Sequence, residues 1–346
     1  MSDSLVQDAA IRVFADLSPP ATVNAAESGT WPTKLWDAVA AAGFLDAIGD
    51  GEDGSLAGLA DAAAVLGAAG RHAVPLPLAD TMLARWLLRR AKLTVPDGPL
   101  AIVVEGGDDR VDLVRTGGSW RLSGAIGAVP WARDAKALVI ATGSKVALVA
   151  PLRAAIEKRT NLAGEPCDAV SLDVTLAADK IAQAPAGTDA ATVYRLGALL
   201  RAIEMAGALE EMLTLTVTYA NDRVQFGRPI GKFQAVQQQL ALAAEQVAAA
   251  CVAVSAGIAG AIGGDLAFTA GAAKLRAGEA AGRVADIVHQ VHGAIGFTHE
   301  HRLHHLTRRL WSWRDEFGHE GFWALELGRL AAAQGADGLW PFFAAR

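Results

Sequence analysis

The chain has 346 residues, 52% of them hydrophobic and 20% charged, with a formal net charge of −6. That length exceeds one ordinary domain of roughly 100–200 residues, and the mild acidity supplies no global basic field for a polyphosphate backbone, which argues against a nucleic-acid protein. Two cysteines, Cys167 and Cys251, are too few and too far apart for a disulfide framework or a zinc ribbon, so reduced thiols in the cytoplasm are expected.

The opening stretch MSDSLVQDAAIRVFADL has no basic segment ahead of a long apolar core, so no secretory signal is expected. Mean hydropathy is +0.27. The longest uncharged run, Gln246 to Gly264, is mostly Ala and Gly and falls just under the ~20 residues of a spanning helix, so no membrane partner is expected.

Up to about Pro96 alanine and leucine recur at helical spacing, as in LWDAVAAAGFL and LAGLADAAAVLGAAG, joined by an acid and glycine turn from Ile48 to Ser55. From Pro99 the texture changes to short β-rich runs, among them LAIVVE, SWRLSG, KALVIATG and AVSLDV, spaced as in a small antiparallel sheet or barrel ending near Gln183. After PAGTD the helical texture returns and continues to Arg346. Helices, then strands, then helices implies segregated α and β units, an α+β, mostly α chain divided at 1–98, 99–183 and 184–346. Leu213–Tyr219, LTLTVTY, alternates like a strand, but its flanks are too long for strands. Leu209, Leu213, Val217 and Ala220 also form a helical stripe, so the spacing predicts helix.

Two clusters carry residue types suited to chemistry. In Asn221–Gln234, NDRVQFGRPIGKFQ, the helical pattern breaks at Gly227 and Pro229 and restarts near Phe233. Arg223 therefore ends one helix, where a guanidinium can clamp a phosphate, and Phe226 offers an aromatic edge; an ordinary helix corner with a solvated arginine fits the same letters. In Gln290–Phe297, QVHGAIGF, Gly293, Ala294 and Gly296 let backbone amides approach a ligand. Seven of the eight histidines lie between His289 and His319. They lack interleaved cysteines and have one obvious acid, Glu300, so HEHRLHHLTRRL reads as a polar helix face and no metal site is expected.

Taken together, NDRVQFGRPIGKFQAVQQQLA and QVHGAIGFTHEHRLHHLTRR resemble the C-terminal domain of the acyl-CoA dehydrogenases, and WDAVAAAGFLDAIG with Asp61–Leu88 is similar to that family's N-terminal helices. The resemblance implies the acyl-CoA dehydrogenase fold: an N-terminal helical domain, a middle β-barrel and a C-terminal four-helix bundle. It implies FAD bound between subunits, an acyl-CoA thioester of fatty or steroid side-chain type desaturated between Cα and Cβ, and electron-transfer flavoprotein as acceptor. By motif position Arg223, Gln225, Phe226 and Gln234 would touch the pyrophosphate and adenine side of FAD. Gln290, Gly293, Ala294 and Gly296 would approach the FAD of a neighbouring subunit.

The sequence departs from the family where the base belongs. The usual glutamate directly before a glycine is Phe317 here, before Gly318, with Glu316 displaced by one. The alternative seat on the earlier helix matches Gly197, and Glu204 lies about two turns beyond it. Glu316 is the remaining candidate base. In the middle segment Ala128 and Pro130 stand where the family's flavin-walling tryptophan and threonine stand, with Trp131 offset. The expected protein is thus the partner lacking the base in an α2β2 pair with a second acyl-CoA dehydrogenase-like chain. The alternatives are a self-sufficient homo-oligomer using Glu316 and a flavin-free structural or regulatory subunit. The aromatic segment Trp311–Trp323 suits helix or subunit packing, and Trp340–Phe343 looks like a docking tail.

Overall fold

The computed structural model describes residues 5–49, 56–106 and 110–344; of the predicted turn at 48–55, residues 50–55 lie outside the described ones. Five helices come first: α1 (Leu5–Leu17), α2 (Pro20–Glu27), α3 (Thr33–Ala41), α4 (Leu59–Arg71) and α5 (Leu78–Arg90). Pro20 opens α2, where its fixed φ suits the first turn and its missing N–H removes nothing.

The strands follow as β1 (Leu100–Val104), β2 (Arg110–Thr116), β3 (Ser119–Pro130), β4 (Ala137–Thr142), β5 (Lys145–Val149), β6 (Ala155–Glu157), β7 (Cys167–Ala177) and β8 (Ile181–Gln183). They divide between two four-stranded sheets, ordered β1-β4-β5-β8 and β2-β3-β7-β6, rather than one meander. The pairing of β1 with β4 is parallel, where the spacing of the runs predicted antiparallel neighbours. The reason is that the β2–β3 hairpin leaves for the second sheet, so β4 returns alongside β1 by a crossover. Strand β7 buries every second side chain, Val170, Leu172, Val174 and Leu176, against the inner face of the first sheet.

The rest is helical: α6 (Ala190–Asp222), α7 (Gln234–Gly263), α8 (Leu266–His292), α9 (Leu303–Asp315), α10 (Glu320–Ala332) and α11 (Gly335–Ala344). The stretch 213–219 lies inside α6, as the helical stripe predicted. Its threonines fold their hydroxyls onto carbonyls one turn back, Thr214 onto Glu210 at 2.9 Å and Thr216 onto Met212 at 2.6 Å, so they need no strand partners. Between α6 and α7 a short hairpin forms, β9 (Val224–Gln225) with β10 (Arg228–Pro229).

One hydrophobic core runs from Phe14 through α4, α5 and the outer face of the β1 sheet into α6, α8 and Trp313 of α9. Glycines allow the joint: a Cβ at Gly70 of α4 would lie 1.9 Å from the Glu204 carbonyl oxygen, and one at Gly207 of α6 would lie 2.0 Å from that of Gly67. The two backbones therefore touch, and α6 crosses the centre of the molecule. Helix α7 is longer than the uncharged run on which the membrane was set aside, and by length and composition it is apolar enough to span one. Only 28% of its most apolar window is buried within the chain. Phe342 and Phe343 of α11 pack on Phe268, whereas Trp340 stays exposed.

Candidate active site

A cavity of about 790 Å³ opens where β1, the end of β3 and the start of β7 meet α6 and α9. Ile102, Val104, Ile126 and Val129 line one side, and Tyr194, Trp311 and the loop Asp315–His319 the other. Its lining acids include Asp80 of α5 and Glu316 just past α9.

Those acids belong to a buried ionic cluster around Arg201, in the middle of α6. Arg201 meets Asp80 Oδ2 at 2.9 Å, Glu204 Oε2 at 2.5 Å and Glu316 Oε2 at 2.5 Å. One fully buried guanidinium cannot neutralise three carboxylates. Burial, only partly opposed by Arg201, pushes the Glu204 carboxyl up to about 7 and the Glu316 carboxyl up to about 8. Glu204 does not line the large cavity; it faces only a small void behind it.

Phe317 carries the decisive geometry. Its backbone is left-handed, with φ +52°, and the following Gly318 has φ +92°, so the ring turns inward beneath α6. There a Cβ on Gly197 would lie 2.4 Å from Phe317 Cε1. A single aromatic ring thus fills the space shared by residues 197 and 317, the two positions at which motif comparison places a base. The ring is held edge-on by Tyr194 at 5.8 Å. The Trp323 indole N–H donates to the Phe317 carbonyl at 3.0 Å. Buried Lys274 donates to the carbonyls of Arg314 at 2.6 Å and Gly318 at 2.9 Å, and burial brings its ammonium down to about 7.

The hairpin motif lies elsewhere. Arg223 caps the end of α6, exposed and without an ion pair among the described residues. Phe226 and Gly227 form the hairpin tip at φ +53° and +78°, and the Phe226 ring is 91% exposed. Gln225 bonds its own strand, its Nε2 donating to the Val224 carbonyl at 2.7 Å, and Gln234 starts α7 on the surface. Gln290, Gly293 and Ala294 are exposed at the end of α8, while Gly296 is buried in the turn that follows. Tyr219, one turn before Arg223, stacks on His292 at 4.5 Å and donates its hydroxyl to the His292 carbonyl at 3.3 Å. The two predicted clusters therefore share one end of the helical bundle. None of these eight residues lines the large cavity; only Glu316 of the predicted site does.

In the middle segment Ala128 and Pro130 line the cavity and Trp131 does not. Trp131 packs edge-on against Trp31 at 5.9 Å, on the side of the N-terminal helices. Among the histidines, His304 and His305 come together with Glu27 within 4.8 Å, close enough for a metal. Glu27 is already met there by Arg308 and by Arg309 at 2.9 Å, and against burial the His305 hydrogen bond and the two guanidiniums hold its carboxyl down to about 2. A cation would face two guanidiniums.

Sequence reading missed the Arg201 cluster and Lys274. The signal was present: Asp80 in LADTML, and Arg201 with Glu204 in LGALLRAIEMAGAL, are isolated polar positions in otherwise apolar helical runs. Charges so placed are buried only when paired.

Residues 189–314 match the family model for the acyl-CoA dehydrogenase C-terminal domain. The acyl-CoA dehydrogenase IpdE2 of Mycobacterium tuberculosis is 30% identical over 312 residues, 88% of this chain and 89% of that protein. The chain therefore belongs to the acyl-CoA dehydrogenase family, oxidoreductases that act on CH–CH bonds. Its fold matches a chain of the Tcur3481-Tcur3483 steroid ACAD, with TM-score 0.84, 26% identity and coverage of 95% and 97%. It also matches a chain of the ChsE4-ChsE5 complex from Mycobacterium tuberculosis, with TM-score 0.87, 24% identity and coverage of 97% and 99%.

Proposed function

We propose that this chain is the supporting subunit of a heteromeric, FAD-dependent acyl-CoA dehydrogenase of the cytoplasm, with a second acyl-CoA dehydrogenase-like chain supplying the catalytic base. The observation that carries the reading is the Phe317 ring, which fills both base seats while the Arg223 hairpin stands open on the surface. Desaturation removes a proton from Cα and a hydride from Cβ of the acyl thioester, and bound FAD supplies the hydride acceptor. The residues present suit that group. Arg223 offers an unpaired guanidinium to a pyrophosphate, and Gln225, Phe226 and Gln234 flank it on the same exposed corner. Gln290, Gly293 and Ala294, at the same end of the bundle, would meet the second flavin of an α2β2 assembly. The likeness to the Tcur3481-Tcur3483 steroid ACAD favours a steroid-type acyl group, and electron-transfer flavoprotein is the proposed acceptor.

The apolar side chains exposed on α7, with Val252 69% and Leu242 50% accessible, are surface a partner chain would cover. A self-sufficient homomer has one observation in its favour, that Glu316 lines the cavity with its carboxyl near neutrality. Its 2.5 Å contact with Arg201 opposes this, because the pair must separate before the carboxylate can take a proton. The visible spectrum of the chain purified alone and co-expressed with the acyl-CoA dehydrogenase-like chain encoded beside it tests the reading. Flavin absorbance and bleaching by acyl-CoA only in the co-expressed sample support the heteromer. A yellow, bleachable chain on its own overturns it, and colourless protein in both samples favours the flavin-free scaffold.

A further inference from the structure

A second cavity, of about 570 Å³, lies at the opposite end of β3 and β7 from the one described above. Ser119 and Thr175 border it, whereas Pro130 and Cys167 border the first, so roughly 25–35 Å of strand separates them. It opens where the two sheets diverge. Leu148 and Ala137 reach it from the large core and Leu176 from the core between the sheets, so its floor is the apolar seam of the molecule. Its size falls within the ~300–1,000 Å³ of small-molecule sites.

The rim has one sign of charge. Lys136, Arg153 and Lys180 line the cavity and, among the described residues, no carboxylate does; Asp179 meets Lys180 at 3.4 Å from outside the lining. Two of these cations are held in place. A Cβ on Gly98 would lie 2.6 Å from Lys136 Cγ, so the lysine stem rests on the bare glycine backbone. Arg153 Nη1 donates to the Thr175 carbonyl at 3.0 Å, which leaves its other N–H groups to the mouth. An apolar floor under three cations suits a ligand with a hydrocarbon tail and one anionic head.

We propose that this cavity is a second binding site, separate from the flavin and acyl-CoA machinery, for an amphipathic carboxylate of fatty-acid type, tail on the Leu148–Leu176 seam and head between Lys136 and Arg153. Titration calorimetry of the full chain with decanoate, decanol and inorganic phosphate tests it. Decanoate binds one to one, at least about tenfold more tightly than decanol and more weakly at high salt, and phosphate does not displace it. Lys136→Glu and Arg153→Glu change exposed side chains, so the fold persists, and each weakens decanoate about tenfold while leaving decanol unchanged. Equal affinity for decanol, retained affinity in both variants, displacement by phosphate alone, or competition by decanoyl-CoA, which would put the ligand in the first cavity, each overturns the proposal.

Discussion

Replacing Arg201 by leucine removes the guanidinium that contacts Asp80, Glu204 and Glu316 together. Breaking a buried pair from one side costs about 3–5 kcal/mol, because the remaining charge has neither water nor partner. At about 2.1 cal/mol/K per residue, the 346-residue chain would lose about 5 °C in melting temperature for a 4 kcal/mol change. The loss depends on pH in a defined direction. Burial raises the Glu204 and Glu316 carboxyls above their unfolded value of 4.5, to about 7 and about 8, so the folded state holds protons the unfolded state has released. Such groups favour folding fully below the unfolded value, and that contribution fades as pH rises through the folded values. Without Arg201 both carboxyls keep their protons to still higher pH, so Arg201→Leu is mildly destabilised at pH 5 and severely at pH 8. Urea unfolding followed by circular dichroism at the two pH values measures this. Equal losses at pH 5 and pH 8, or a loss under about 1 kcal/mol at pH 8, would refute the argument that one guanidinium holds the three acids.

Gly197→Ala drives a methyl into the Phe317 ring and costs about 1–3 kcal/mol. The double variant with Phe317→Ala recovers most of that, and a double-mutant cycle that comes out additive would disprove the shared seat. Arg223→Gln, at an exposed helix end, leaves the melting temperature of the chain unchanged but lowers flavin retention in the co-expressed complex, read as the ratio of visible to ultraviolet absorbance. Burial lowers the imidazoles of His289, His292, His301 and His304. Their unfolded forms therefore bind protons first, and stability falls as pH drops below about 6.5; His292→Gln should shallow that acid limb in melts taken between pH 7.5 and pH 5. Lys274→Met removes the donor that ties the Arg314 and Gly318 carbonyls. Faster amide exchange confined to residues 314–319 is its expected mark, and protection unchanged there would argue against the tie.

The order of helices, strands and helices was legible because long Ala- and Leu-rich helical runs give way to short β-rich runs broken by Gly, Asp and Pro near Pro99 and return after Gln183. The break at Gly227 and Pro229 placed the end of α6 and the exposed Arg223 corner, since local backbone chemistry decides both. Motif position also singled out Gly197 and Phe317, one by one, as the places where a base is expected in the family. What sequence alone left open depended on contacts between residues far apart in the chain. The parallel return of β4 beside β1 rests on which strands pair across a crossover. The gathering of Asp80, Arg201 and Glu316 rests on α4, α5 and α9 closing around one helix, made possible by backbone contact at Gly70 and Gly207. Local pattern records which face of each element is apolar, but not which faces meet. Only the packed structure decided that positions 197 and 317 share one space, and that a phenylalanine ring fills it.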